Sequence, residues 1–165
     1  MLKWLWLSGL VIMLDQATKL AADRLLTFHS PVTVIPDFFN FTLAYNKGAA
    51  FSFLSDAGGW QRWFFTVLAI VVSVVLIFWI KNLSRQERWT AAALSLILGG
   101  AIGNVIDRVI YGHVIDFIQW YYDHFYWPSF NIADSAISVG AAILIFQTLF
   151  GPKAEPTTDS QSDHQ

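Results

Sequence analysis

The chain contains 165 residues, of which 55% are hydrophobic and only 13% are charged. Soluble domains carry about 25% charged residues, so this composition indicates a single small membrane protein domain. A formal net charge of -2 provides no basic field, and we therefore predict no nucleic-acid partner. With no cysteine, the chain has no disulfide, no thiol nucleophile and no cysteine-ligated metal.

Four apolar stretches occur along the chain, each close to the length that a bilayer requires. They cover residues 4–22, 63–80, 89–110 and 132–150. The first stretch also has the charged and apolar regions of a signal peptide, but no small-x-small cleavage site follows promptly, so we favour a retained helix. The predicted fold class is an all-α polytopic membrane protein with four transmembrane helices.

Basic residues mark one face of this protein. They precede the first stretch, fill the short loop between the second and third, and follow the fourth: Lys3, Lys81, Arg85, Arg88 and Lys153. The positive-inside rule therefore predicts that both termini are cytoplasmic. The two longer segments, 23–61 and 111–131, are then outer loops.

The outer loop 23–61 contains two strand-like runs, at residues 32–35 and 38–45. These predict a small extracytoplasmic β element on the outer membrane surface. Residues 1–150 form one predicted four-helix transmembrane domain. The remaining segment, 151–165, is rich in Pro, Thr, Ser, Asp and Gln and predicts a disordered cytoplasmic tail.

The polar residues near these helices converge on one level. Helices rise about 1.5 Å per residue, and alternate helices run in opposite directions. The residues that this places towards the outer surface are Asp15, Lys19, Asn46, Asn104, Arg108, Asp116 and Asp134. Ionisable groups beside lipid are costly and usually functional. Asp116 and Asp134 at one depth predict a shared acid–base pair, as in an intramembrane aspartic protease.

Several of these residues have simpler alternative roles. Asp15 and Lys19 are four apart on one helical face, which favours an ion pair within the helix over direct chemistry. For Arg108, contact with lipid headgroups is the alternative to a role in the site. Asp107 is left open between a partner for Arg108 or Lys19 and catalysis. Singly, Asp116 reads as a turn residue and Asp134 as a helix N-terminal charge, but their shared depth favours the pair.

Small residues recur at every fourth position of the third stretch, at Ala91, Ser95, Gly99 and Gly103. Such a stripe allows backbones to approach closely, and we expect it to face the fourth helix.

Motifs of other membrane proteases are missing from the chain. There is no His-Glu-x-x-His, no Gly-x-Ser-x-Gly and no Gly-x-Gly-Asp. The four histidines, His29, His113, His124 and His164, have no metal-ligand spacing. We predict neither a metal nor a cofactor.

Five segments in order resemble the motifs of lipoprotein signal peptidase, signal peptidase II. They are DQATK at 15–19, YNKGAAFSF at 45–53, GNVIDR at 103–108, VIDF at 114–117 and FNIAD at 130–134. The resemblance covers the chain from the first helix to the fourth. Lys47 departs from the small or polar residue that is frequent there.

This resemblance implies an aspartic endopeptidase of the bacterial inner membrane. Such an enzyme removes the signal peptide from prolipoproteins, just before a cysteine that already carries diacylglycerol. The implied catalytic pair is Asp116 and Asp134, and Asp15 with Lys19 are implied as structural support. Substrate binding or orientation of the pair is implied for Asn46, Gly48, Asn104, Arg108 and Asn131. The implied partners are prolipoproteins and membrane lipid, and no oligomer is required.

Two non-enzymatic functions are the alternatives. A small transporter should carry polar residues through both leaflets, whereas residues 63–80 contain only Thr66 and Ser73. A protein that binds signal peptides without cutting them differs from the enzyme only in lacking the aspartate pair.

Overall fold

The computed structural model describes residues 1–48 and 59–150. A 3-10 turn, Leu2–Trp4, leads into a chain of helices and strands. The elements, in order, are α1 (Leu5–Leu25), β1 (Val32–Ile35), β2 (Phe39–Asn46), α2 (Trp60–Asn82), α3 (Arg88–Ile110), β3 (Val114–Tyr122), β4 (Phe125–Tyr126) and α4 (Ile132–Phe150). The predicted tail at 151–165 and part of the predicted outer loop, 49–58, lie outside the described residues.

Each apolar stretch of the sequence forms a helix, and α4 has the predicted bounds. Among the described residues, α2, α3 and α4 are long and apolar enough to cross a membrane. The protein is therefore a mostly helical membrane protein. α1 does not meet the same measure, because Asp15, Gln16 and Lys19 interrupt its apolar run.

α3 is the central helix. Within its most apolar stretch, 61% of α3 is buried inside the protein, whereas the corresponding fractions are 22% for α2 and 17% for α4. The exposed surfaces of α2 and α4 are apolar. Helices in lipid gain stability mainly from close packing, for which small residues are suited. The cluster Leu76, Ile80, Leu83, Ala91, Leu94 and Leu98 fills the space between α2 and α3 near the end of α2. The polar residues are left at the opposite end of α3.

The small-residue stripe is a helix-packing face, as expected, but Gly99 and Gly103 pack closest against α1 rather than against α4. A Cβ atom at Gly99 would lie 2.8 Å from Cβ of Val11, and one at Gly103 would lie 2.6 Å from Oδ2 of Asp15. Both neighbours belong to α1, although a Cβ at Gly103 would also lie 3.4 Å from Cβ of Ala133 in α4. α4 approaches α3 more closely at Gly100, where a Cβ would collide with the backbone of Ala133. Because an α-helix has 3.6 residues per turn, residues at every fourth position gradually change direction around the helix axis. The spacing alone therefore did not identify which helix packs against the stripe.

The strands form one antiparallel sheet in the order β1-β2-β3-β4. β1 has the predicted bounds, and the segment 111–131, for which no strand was predicted, contains β3 and β4. Ala44 of β2 lies opposite Asp116, which is therefore a strand residue and not a turn residue. The strand is stabilised by β-branched neighbours such as Val114 and Ile115, both 2% exposed.

The sheet also determines where α4 begins. Phe130 and Ile118 exchange both backbone hydrogen bonds, at 2.9 and 3.0 Å. The chain thus returns along β3 immediately before Ile132 starts α4. This pairing brings the first turn of α4 to the strand that carries Asp116.

Candidate active site

Asp116 is almost completely buried, with 2% of its surface exposed. Both of its carboxylate oxygens accept side-chain hydrogen bonds. Nδ2 of Asn131 donates to Oδ1 over 2.7 Å, and Nδ2 of Asn46 donates to Oδ2 over 3.2 Å. Asn46 is itself oriented, since its Oδ1 accepts a hydrogen bond from the backbone N–H of Gly48 at 3.0 Å. The predicted residue Asn46 thus contacts Asp116 at the end of β2, and the predicted residue Gly48 orients Asn46.

The environment of Asp116 favours its protonated form. Burial and the negative charge of Asp134 raise the pKa of Asp116 from 3.8 to about 7. Hydrogen bonds from Asn46 and Asn131 and the charge of Lys19 act in the opposite direction but do not cancel this effect. A carboxyl group with such a pKa is about half protonated at neutral pH and can either give or accept a proton.

Asp134 lies in the first turn of α4 and belongs to a capping arrangement. Its backbone N–H donates to Oδ1 of Asn131 over 2.9 Å, while its Oδ2 accepts the backbone N–H of Asn131 at 3.3 Å. These reciprocal bonds satisfy two donors that a helix start otherwise leaves free. The other oxygen, Oδ1, accepts a 2.8 Å hydrogen bond from Nδ2 of Asn104.

Asn131 connects the two aspartates. Its side-chain carbonyl caps α4, so its Nδ2 is left to donate to Asp116. Nδ2 also lies 3.3 Å from Oδ1 of Asn104 and 3.3 Å from the carbonyl of Ile115. One buried amide therefore joins β3, α3 and α4, the three elements that carry the site.

Arg108 extends from α3 towards the end of β2. Its Nη2 donates to the carbonyl of Gly48 over 3.0 Å, and its guanidinium lies 5.7 Å from the centre of the Phe65 ring. Its Nε is buried and has no hydrogen-bond partner among the described residues. Arg108 therefore contacts the end of β2, and its buried Nε–H is left as a free donor among the described residues.

Asp15 and Lys19 form the predicted ion pair within α1, with 2.8 Å between Nζ and Oδ2. Lys19 is also 2.8 Å from Oδ2 of Asp107, which identifies Lys19 as the partner of Asp107 among the alternatives left open. All three side chains are at most 1% exposed. Buried charges are tolerated only when they are paired, and this cluster meets that condition.

Two polar residues of the site region were missed by the sequence analysis. Nε2 of Gln16 donates to Oδ1 of Asp107 over 2.9 Å. Gln16 belongs to the DQATK segment, so that motif could have identified it. Arg62 of α2 donates to the carbonyls of Arg108 and Val109, at 2.6 and 2.9 Å, at the end of α3. Nothing in the sequence pointed to Arg62, because its partners are 46 and 47 residues away.

Aromatic and ionisable side chains also lie near the end of β2. The hydroxyl of Tyr45 donates to Asp23 over 2.8 Å, which raises the pKa of Tyr45. The Tyr45 and His113 rings are 4.3 Å apart, and burial lowers the pKa of His113, which favours neutral imidazole. Within residues 1–48 and 59–150, no three His, Asp or Glu side chains are grouped to hold a metal ion.

This arrangement has the components of carboxylate acid–base chemistry. Two aspartates on different elements are joined by one amide, every carboxylate oxygen accepts a hydrogen bond, and a cation with a free donor lies close by. Aspartates held in this way can share one proton, because two adjacent negative charges are unfavourable.

Comparison with known proteins agrees with this chemistry. A family model for signal peptidase (SPase) II matches residues 7–150. The lipoprotein signal peptidase of Pseudomonas putida is 56% identical over 156 residues, covering 93% of this chain and 91% of the relative. That of Aeromonas hydrophila is 51% identical, covering 95% and 94%. A bacterial membrane enzyme solved by the in meso method at 2.3 Å is 31% identical with a TM-score of 0.80, covering 93% of each chain. The chain belongs to the signal peptidase II family.

Proposed function

We propose that this protein removes the signal peptide from diacylglyceryl-modified prolipoproteins, with Asp116 and Asp134 as the catalytic pair. The observation that carries the assignment is the Asn131 amide, which bonds to Asp116 while its carbonyl and backbone bond to Asp134. A pKa of about 7 for Asp116 supports a pair that holds one proton at neutral pH. Family membership supports the reaction class, a peptidase acting on lipoprotein precursors.

The reaction needs one base and one acid. The ionised member of the pair takes a proton from water, and the water oxygen forms a bond to the scissile carbonyl carbon. The protonated member polarises that carbonyl oxygen and later supplies the proton for the leaving amine. The C–N bond breaks, and the pair again holds one proton. Because each aspartate can hold the proton, the pair titrates as a unit.

The remaining polar residues bind the substrate or orient the pair. The free Nε of Arg108 is suited to donate to a carbonyl of the extended peptide beside the scissile bond. Asn46, Asn104 and Asn131 hold the carboxylate oxygens at fixed positions. Fixed donors around reacting groups remove the reorganisation that water would require.

We also propose that α1 crosses the membrane in addition to α2, α3 and α4, which gives four spans. We propose that the protein lies in the bacterial inner membrane with both termini in the cytoplasm. The ion pairing of Lys19 with Asp15 and Asp107 supports the insertion of α1, since it lowers the cost of these charges in lipid. The basic residues around the loop between α2 and α3 support a cytoplasmic location for that loop. The site then lies near the outer surface, where a lipidated cysteine resides. We propose that residues 1–150 work as one monomeric domain.

Purified protein in detergent, incubated with a diacylglyceryl-modified prolipoprotein, tests this function. We expect a shift on a gel that corresponds to loss of the signal peptide. Asp116→Asn and Asp134→Asn should each abolish the shift, since neither variant can share a proton between carboxylates. Asp123→Asn is the matched control, because Asp123 is 72% exposed in the β3–β4 turn. Near-normal cleavage by either site variant would refute the catalytic pair.

The transporter alternative is not favoured. The buried charged side chains of the described helices, Asp15, Lys19 and Asp107, gather towards the C-terminal halves of α1 and α3 near the start of α4, and the buried polar side chains elsewhere in the helices are mostly hydroxyl groups.

A further inference from the structure

The ammonium group of Lys19 has all three of its hydrogens engaged. Nζ lies 2.8 Å from Oδ2 of Asp15, 2.8 Å from Oδ2 of Asp107 and 2.9 Å from Oδ1 of Asn104. A lysine ammonium has three donors and no acceptor, so these contacts use its whole capacity. At 1% exposure, no solvent competes for them. The position of Lys19 is thus completely determined by its partners.

The contact with Asn104 has a consequence for Asp134. An Asn side chain has one acceptor end and one donor end. Because the shorter contact of Lys19, with a longer 3.3 Å one from Nδ2 of Asn131, occupies the Oδ1 end, the Nδ2 end must face away, and it donates to Oδ1 of Asp134 over 2.8 Å. The reversed amide would set two donors against each other at Lys19 and two acceptors against each other at Asp134. Both contacts would be repulsive in a buried site.

The two carboxylates that hold Lys19 are anchored in turn to the elements that carry the aspartates. Oδ1 of Asp15 accepts the backbone N–H of Ala133, in the first turn of α4, over 2.9 Å. Oδ2 of Asp107 accepts the backbone N–H of Ile115, next to Asp116 in β3, over 3.1 Å. The cation therefore lies at a point that is tied to α1, α3, β3 and α4 together.

We propose that Lys19 is a positioning residue for peptide cleavage, which acts by holding the carbonyl end of the Asn104 side chain so that its amide donor stays on Asp134. This rests on the proposed function, since it treats Asp134 as a member of the catalytic pair. It gives Lys19 a role beyond balancing buried charge. Charge balance alone would require Asp15 and Asp107 but would not depend on Asn104.

A double-mutant cycle tests whether Lys19 acts through Asn104. The variants are Lys19→Met, Asn104→Ala and the two combined, and single-turnover cleavage of the lipidated precursor is measured for each at its optimum pH. We expect Lys19→Met to slow the wild-type enzyme by roughly tenfold or more, the size expected for a lost hydrogen bond to a charged group. In the Asn104→Ala background the same change should cost less than about threefold, because no amide is left to orient.

A purely structural role predicts a different pattern. Loss of folded protein would reduce cleavage by the same factor in both backgrounds, and such independent factors, or unchanged cleavage by Lys19→Met, would overturn the proposal. If Lys19→Met does not accumulate, the same cycle is built on Asp107→Asn as the parent protein. The effect of Lys19→Met is then measured by comparing Lys19→Met/Asp107→Asn with Asp107→Asn, with and without Asn104→Ala. That double variant removes one charge of each sign and so keeps the net charge of the buried cluster.

Failure of this proposal and failure of the proposed function remain distinguishable. If Asp134→Asn still cleaves the precursor, the catalytic pair is wrong and the role of Lys19 falls with it. If Asp134→Asn is inactive while the cycle gives independent factors, the catalytic pair stands and only the role of Lys19 is wrong.

Discussion

Nδ2 of Asn131 donates a 2.7 Å hydrogen bond to Oδ1 of Asp116, although the two residues belong to different elements. Asn131 precedes α4 and caps it, whereas Asp116 lies in β3. The cap orients the Asn131 side chain, and the sheet determines where Asp116 meets it. The two aspartates are therefore connected by a residue whose side chain does not ionise.

Replacement of this amide should reduce cleavage without abolishing folding. Asn131→Ala removes a helix cap, which costs about 1 kcal/mol. It also removes a hydrogen bond to Asp116 of the kind that contributes roughly 1.5–3 kcal/mol, so we expect turnover to fall at least tenfold. The gel-shift assay measures the change, with Asn82→Ala at the exposed end of α2 as control. Turnover like that of the wild type would mean that Asn131 does not orient the pair.

Arg108→Ala should lower activity strongly with a modest loss of stability. The guanidinium holds the carbonyl of Gly48 and offers Nε to the site. We expect kcat/KM to fall by roughly a hundredfold, as for loss of a charged donor to substrate. Arg108→Lys retains the charge but not the planar set of donors, so it should recover only part of the activity. Full activity in Arg108→Ala would return this residue to simple headgroup contact.

Replacement of Arg62 should mainly lower stability, although the sequence analysis did not identify this residue. It donates to two carbonyls at the end of α3, where a cation also interacts favourably with the helix dipole. Arg62→Ala should lower stability by about 1–3 kcal/mol, measured by thermal unfolding in detergent. Activity should fall moderately, because Arg108 lies in that last turn. Arg24→Ala, an exposed arginine in the last turn of α1, should change neither.

Asp116→Asn should alter the pH dependence of stability as well as cleavage. Folding raises the pKa of Asp116 from 3.8 to about 7. A carboxyl group with a raised pKa favours the folded state while protonated, so its contribution is complete below about pH 4 and lost as the pH rises to about 7. Asparagine does not ionise, so the Tm of the variant relative to wild type should rise from about pH 4 to about pH 8. The full difference corresponds to at most about 4 kcal/mol.

Asp123→Asn provides the control for this measurement, because it removes a carboxylate that is exposed rather than buried in the site. A Tm difference for Asp116→Asn that does not change with pH would contradict the raised pKa of Asp116.

Cleavage should depend on the lipid of the substrate and not on metal. An unlipidated version of the same precursor should be cut poorly, because acyl chains buried beside the helices hold the scissile bond at the site. EDTA and reagents directed at serine or thiols should leave cleavage intact, since paired carboxylates and water are sufficient. Loss of cleavage with EDTA that zinc restores would contradict the aspartic mechanism. Equal cleavage of both precursors would contradict the lipid requirement.

Sequence reasoning located most of the helices, and several of the candidate residues that it named contact one another in the structure. The bounds of α4 and β1, the pairing of Asp15 with Lys19 and the family were predicted correctly. The sheet was underestimated, because β3 contains an aspartate within an apolar run and so lacks a clear alternation. The sequence also could not predict which helix packs against the small-residue stripe or that Arg62 contributes to the end of α3.

The sequence by itself determined the features that depend on residues close together along the chain. Hydropathy averaged over about 20 residues marks a membrane helix, and a four-residue spacing places Asp15 beside Lys19 on one face. Contacts between distant segments depend on how helices and strands pack, and several arrangements of the same elements satisfy the local rules. Only the tertiary structure therefore decided that Asn46 meets Asp116, that Lys19 meets Asn104 and that Arg62 completes the end of α3.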